Sequence, residues 1–170
     1  VDTVRVTGNK HFSEANVRAT IPALRSGVAP EPRPVARSLA IANESPAKRA
    51  AVHLRENADG NAIDAEIQVE DRSPQQVFAT VSNTGTPETG SWRTAIAYQH
   101  ANILDRDHVL TASFATSPDH FDDVKQYGAF YSVPLYALGD SLSAYAVYSD
   151  VTQGTVAGLE VSGAGTFFGI

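Results

Sequence analysis

The sequence predicts two regions of different class. The first is a small α+β domain in the order β-α-α-β-β over residues 1–73. The second is a run of six or so antiparallel strands, the N-terminal part of a β-barrel, over residues 74–170. Three observations predict this. Charge is uneven: residues 1–74 hold 20 of the 32 charged residues, 27% of those positions, whereas residues 75–170 hold 12, about 12%. A quarter charged is usual for a globular domain and half that is not. Hydrophobic periodicity is mixed before residue 73 and purely two-residue after it. Finally, Ser73-Pro74 is turn chemistry at the joint, followed at once by a strand-turn-strand pattern.

Composition narrows the function classes. The chain has no Cys, so disulfides and thiolate metal sites are excluded. It has no Met and begins at Val1, which is expected of a mature product or an excised piece. No apolar run approaches the roughly 20 residues of a spanning helix, which leaves a membrane barrel open. A net charge of −6 argues against general nucleic-acid binding.

In the first region, Val4 and Val6 alternate in a strand that Gly8-Asn9 closes. Ser13 stands at an N-cap position with Glu14 in the first turn. Ala15, Val17, Ile21 and Leu24 form a helical stripe, within which Pro22 predicts a kink or an early end. After Pro30, Pro32 and Pro34, residues 35–42 form a second short helix with Val35, Leu39 and Ala42 on one side. Residues 49–55 read as a strand with Val52 and Leu54 on opposite faces. Asn57 to Gly60 is a turn signal. Ile63, Ala65, Ile67 and Val69 then alternate with charged and polar residues in a half-buried strand. Three strands with two helices on one face make a small α+β domain. Arg33, Arg37, Lys48 and Arg49 read as a solvated basic face.

In the second region, strands are expected at 75–82, 91–100, 109–116, 124–135, 141–149 and from about 161. Tight turns are expected at 102–107 and 136–140, and more open connections at 82–90, 117–123 and 150–160, part of the last being compatible with strand. Each strand has one apolar face and one small or polar face. Trp92, Tyr98, Tyr127, Tyr136 and Tyr148 recur near strand ends, as suits a bilayer interface. A soluble barrel or sandwich would alternate in the same way; the low charge favours the membrane. Alternating short and long connections fit a barrel with short periplasmic turns and longer outer loops. Six strands are too few to close in lipid, so the piece is expected to be less than the whole functional unit.

Several stretches carry a resemblance. Val4-Arg-Val-Thr-Gly-Asn9 before a Ser-capped helix looks like a polypeptide-transport-associated (POTRA) domain. Ala42-Asn-Glu-Ser-Pro-Ala-Lys-Arg49 resembles the N-x-N-P-x-R stretch of the second such domain in two-partner-secretion transporters, the haemolysin secretion/activation proteins. The stretch from Gly60 to Asp71 resembles the strand leading into their barrel. Ser82-Asn-Thr-Gly85 with Thr89-Gly90 resembles their first hairpin, and Asn102-Ile-Leu-Asp-Arg-Asp107 a turn of the pattern N-L-x-G-x-G-D. Leu159-Glu-Val-Ser-Gly163 resembles the start of the sixth strand. The sequence departs from the pattern at Ser82, at Ser45 and in the missing glycines of the 102–107 turn.

The resemblance implies a POTRA domain, the second of a pair, in the periplasm. It implies a transmembrane barrel of about sixteen strands in the outer membrane of a Gram-negative bacterium. The implied role is export, with haemolysin activation in some members, of one large secreted exoprotein partner through its N-terminal secretion domain. That reading has outer-membrane lipid as a second partner and involves no nucleotide, no nucleic acid and no cofactor. A barrel-assembly or insertion factor of the same superfamily is the alternative.

Two groups of residues are candidates for that role. A three-stranded sheet of this kind leaves the strand of Arg49, Ala51, Val52, His53, Leu54 and Arg55 at an edge, where an extended peptide can add as a further strand. Arg49 and Arg55 are expected to flank the register. Thr111, Ser113, Gln126, Ser132, Ser141 and Ser143, on the small and polar face, are expected to line a lumen. An enzyme is disfavoured: no nucleophile, phosphate-loop or paired-carboxylate pattern is present. His100, His108 and His120 lack metal-ligand spacing despite nearby aspartates.

Overall fold

The computed structural model describes residues 1–57, 60–156 and 159–170. These fall into two compact units. One comprises Val1–Pro74 together with Ala101–Val109 and Ser132–Leu142. The other comprises Gln75–His100, Leu110–Tyr131 and Ser143–Ile170. The first unit therefore takes in two connections from the second half of the sequence.

The elements of the first 74 residues run β1 (Val4–Thr7), α1 (Glu14–Thr20), α2 (Pro32–Ala42), β2 (Lys48–Glu56) and β3 (Ile63–Asp71). The strands form one sheet in the order β1-β3-β2, with β1 parallel and β2 antiparallel to β3. Ser13 caps α1, its hydroxyl accepting from Asn16 N–H at 3.0 Å. The helix stops at Thr20 because residue 22 is proline, which forces Ile21 out of the helical region, at φ −125° and ψ 74°. Ile21 and Leu24 still reach the core, but from an irregular segment. Helix α2 starts at Pro32, three residues earlier than its apolar stripe suggests, because proline suits the first helical position.

Val4, Phe12, Val17, Ile21, Leu24, Ala65, Ile67 and Val69 form the core, with Val35 and Leu39 of α2 packed on it. Each fully buried Val or Ile contributes about 2 kcal/mol. Val52 and Leu54 do not take opposite faces. Residues two apart on a strand point the same way, and Lys48, Ala50, Val52 and Leu54 share the core-facing side. Burial fades along them, from 2% exposure at Lys48 to 48% at Leu54. The turn expected at Asn57 to Gly60 lies partly outside the described residues.

Two short-range devices close this layer. Gly8 sits at φ +85°, and a Cβ there would lie 2.2 Å from the carbonyl oxygen of Val69. Asp71 Oδ2 then accepts the N–H groups of Lys10, His11 and Phe12 at 2.8, 2.8 and 3.1 Å. Burial opposes the charge on Asp71, but these three donors outweigh it and hold its carboxyl below the ordinary range.

The later strands are β4 (Gln75–Ser82), β5 (Arg93–Ile103), β6 (His108–Thr116), β7 (Val124–Leu135), β8 (Asp140–Val156) and β9 (Leu159–Gly169). They form one antiparallel sheet in sequence order. Within the connection expected over 150–160, residues 150–156 and 159–160 are strand. β8 runs to Val156 and pairs with β9 as far as Val156↔Leu159, with a register shift between Thr152 and Thr155. Val151 and Thr152 are β-branched and favour strand.

The long connection over residues 83–92 is held in place by hydrogen bonds. The Arg93 guanidinium donates to the carbonyls of Thr89 and Gly90 at 2.8 and 2.9 Å. Ser91 N–H donates to Asp119 at 2.9 Å, and Ser117 Oγ donates to Trp92 O at 2.8 Å. The 102–107 turn keeps a left-handed backbone without glycine: φ is +56° at Leu104, +56° at Asp105 and +61° at Asp107. No helix among the described residues is long and apolar enough to cross a membrane, which says nothing of the strands.

Candidate functional site

Strand β2 is an edge of the three-stranded sheet. Its outward backbone groups are not all equivalent. The side chain of Asn43, just past α2, accepts from Ala50 N–H at 2.7 Å and donates to Ala50 O at 3.0 Å. Both backbone groups of Ala50 therefore point away from β3. By strand alternation those of Lys48, Val52 and Leu54 do too. Arg49 Nη1 donates to Lys48 O at 2.9 Å and to Ser45 O. The beginning of the edge is thus sealed by side chains, whereas no side chain among the described residues bonds the outward groups of Val52 and Leu54. Arg49 belongs to the seal and does not flank an open register. The open part of the edge runs from Val52 to Glu56, with His53, Leu54 and Arg55 exposed within it.

The face opposite the core carries a cross-strand row of charges. The pairings Arg5↔Glu66 and His53↔Glu66 put β1, β3 and β2 in one row. Arg55 pairs with Asp64, whose Oδ1 accepts from Thr3 N–H at 3.1 Å and from its hydroxyl at 2.6 Å. The Thr3 hydroxyl holds the Asp64 carboxyl below its ordinary range, against the opposing effect of desolvation.

Lys48, expected on a solvated basic face, is instead 2% exposed, at the centre of a polar node within the first unit. Its ammonium donates to Asp107 Oδ2 at 2.7 Å, Asn16 Oδ1 at 2.9 Å and Thr20 Oγ1 at 3.1 Å, and lies 4.9 Å from the centre of the Phe12 ring. The Tyr136 hydroxyl donates to the same Asp107 oxygen. Asn16 Nδ2 donates to Asp107 Oδ1 at 3.1 Å and to the Asp105 carbonyl at 2.9 Å. Ser13 donates to Asp105. Burial lowers the Lys48 pKa and the Asp107 charge only partly restores it. Burial, reinforced by Asp107, raises that of Tyr136, which stays a hydroxyl donor at neutral pH. The node ties α1 and β2 to the 101–109 and 132–142 segments, which explains how the glycine-free turn is held. Its members lie 59 and 29 residues apart in sequence, so no local motif announces it. The aspartates of the turn were its only visible sign.

On the six-stranded sheet, three of the six polar candidates are joined by cross-strand contacts on one face. Gln99 donates to Thr111 Oγ1 at 3.2 Å, a Cβ on Gly128 would meet Ser113 Oγ at 2.5 Å, and Gln126 donates to Ser149 at 3.1 Å. Alternation from Gln126 and Ser149 brings Ser132, Ser143 and Ser141 to the same face. That face is not purely small and polar: Phe78, Phe130 and Tyr145 share it and are 48%, 40% and 50% exposed. The other face carries Val77 and Ile96, and an aromatic row in which Phe114 and Tyr127 centroids are 5.0 Å apart and Tyr127 and Tyr148 6.2 Å apart. Among the described residues no group of three or more His, Asp or Glu side chains could hold a metal ion.

These strand orders and their sequence have counterparts among solved structures. CdiB from Escherichia coli superposes with a TM-score of 0.73 over 97% of this chain, at 14% identity. The chain has the fold of that part of CdiB. CdiB from Acinetobacter baumannii matches over 99% of this chain with a TM-score of 0.60 at 15% identity. BamA from Haemophilus ducreyi, in a structure lacking POTRA domains 1-3, matches over 89% with a TM-score of 0.56 at 14% identity. The chain spans 31% of the first CdiB, 32% of the second and 27% of BamA, less than a third of the length of each. Neither a family model nor a curated protein sequence matches the chain.

Proposed function

We propose that this chain is part of an outer-membrane POTRA–barrel protein that secretes one large partner exoprotein by two-partner secretion. Residues 1–73 are then the second POTRA domain, in the periplasm, and residues 74–170 the first strands of the transmembrane barrel. The observation that carries this reading is the unbroken sequence of elements. A β-α-α-β-β layer with sheet order β1-β3-β2 leads directly into a six-stranded antiparallel meander, and CdiB matches both together over 97% of the chain. The exposed apolar face of that meander suits lipid, and the polar face with Thr111, Ser113, Gln126, Ser132, Ser141 and Ser143 suits a lumen. The edge from Val52 to Glu56 suits capture of the exoprotein's N-terminal region as an added strand. The role is one of binding and passage, without a catalytic group or cofactor.

The match to BamA favours a second reading, insertion of other barrels into the membrane. Deleting the gene for the parent protein separates the two. Secretion predicts that one exoprotein disappears from the medium while other outer-membrane proteins keep their levels. A general fall in outer-membrane barrel proteins would instead support the insertion role and overturn ours.

A further inference from the structure

The open edge of β2 has a chemistry as well as a register, and that chemistry names the segment it takes. We infer that the β2 edge selects an extended segment alternating acidic and apolar residues, seated opposite Val52 to Glu56. This rests on the reading of β2 as a docking edge. Three features carry it. Asn43 and the Arg49 guanidinium occupy the outward groups of Ala50 and Lys48, so pairing starts at Val52. On the core-facing side, Val52 is partly buried against the core and Leu54 is 48% exposed. An added strand extends this side, and an apolar residue beside Leu54 covers it. On the other side, Arg5 on β1, Glu66 on β3 and the His53 imidazole on β2 stand in one row, and in the next row Asp64 on β3 stands beside Arg55 on β2. The next strand in such a row is favoured to carry acceptors, because opposite charges directly across strands attract and like charges repel.

Arg55 is available for this. It is exposed, and among the described residues its guanidinium forms no ion pair. Its cross-strand neighbour Asp64 is engaged by Thr3 instead. A carboxylate beside Arg55, a second acceptor beside His53 and an apolar residue between them complete both faces. A basic segment in the same register would set its charge against Arg55.

The test uses short labelled peptides alternating valine with glutamate or valine with lysine, titrated against the chain in detergent by fluorescence anisotropy. The valine–glutamate peptide is expected to bind about fivefold tighter than the valine–lysine peptide, with a gap that narrows as salt is raised. Arg55→Glu is expected to reverse that order. Methylating alternate peptide nitrogens on the ladder side removes strand hydrogen bonds without touching the protein, and is expected to abolish binding. If both peptides bind equally and methylation abolishes both, strand addition stands and the charge rule is overturned. If neither binds, or binding ignores methylation, the docking edge itself is overturned.

Discussion

Two sheets in this chain use the same two-residue alternation to opposite ends. In the three-stranded sheet, Ala65, Ile67 and Val69 are at most 2% exposed, because α1 and α2 cover that face. In the six-stranded sheet, Val77, Ile96 and Leu142 are 67%, 54% and 57% exposed, and among the described residues no helix lies between its strands. Where the apolar face is covered by protein, the opposite face is charged. Where it is left bare, the opposite face is mostly uncharged Ser, Thr and Gln, interrupted by Phe78, Phe130 and Tyr145. Alternation alone therefore reports only that two faces differ. The polarity of the second face separates a water-facing layer from one suited to line a pore in lipid.

The largest effect is expected in the first unit. Lys48→Ala leaves Asp107 buried without its cation and should cost about 3–5 kcal/mol, read as a lowered urea midpoint by circular dichroism. The Lys48→Met, Asp107→Leu pair should recover part of that loss, because no charge then remains unpaired. A loss below about 1 kcal/mol for Lys48→Ala would mean that the node contributes little to the mount of the turns. Next, in lipid, Ile96→Arg should cost about 2–4 kcal/mol at mid-bilayer, whereas Thr111→Arg on the other face should cost under about 1 kcal/mol. Equal losses at the two sites would erase the difference drawn between the faces. The smallest effect is a gain. Leu104 is 78% exposed and held at φ +56°, so Leu104→Gly should stabilise by about 1 kcal/mol.

Much of this was legible in the sequence because it is local. The alternation from Ile63 to Val69, the Ser13 cap and the six later strands each depend on neighbours within a few residues. The proline at position 22 also marked the end of α1. The sequence misleads where burial depends on distant partners. Lys48 begins a strand beside Arg49 and reads as solvated; its amide and hydroxyl partners come from α1 and its carboxylate from the 101–109 segment. The 150–160 stretch reads as a loop with part of it open to strand, and pairing with β9 carries β8 on to Val156. The edge position of β2 follows from the order of elements, but the seal by Asn43 and Arg49 does not, since it needs the loop to fold back onto the strand. No pattern in the sequence distinguished Arg49 from Arg55, and the structure gives them different work.

The parallel pairing of β1 with β3 bears on how the layer assembles. Thr3 meets Asp64 across 61 residues of chain, whereas β2 and β3 are joined by a short connection. Closing the shorter loop costs less chain entropy, so the β2–β3 hairpin is the natural early product and β1 arrives last. Until it does, β3 has a vacant side and α1 has no floor. A chain delivered from its amino end, as one threaded through an inner membrane would be, holds β1 unpaired until nearly the whole layer has followed. The interval is one in which a holding chaperone has a strand to protect.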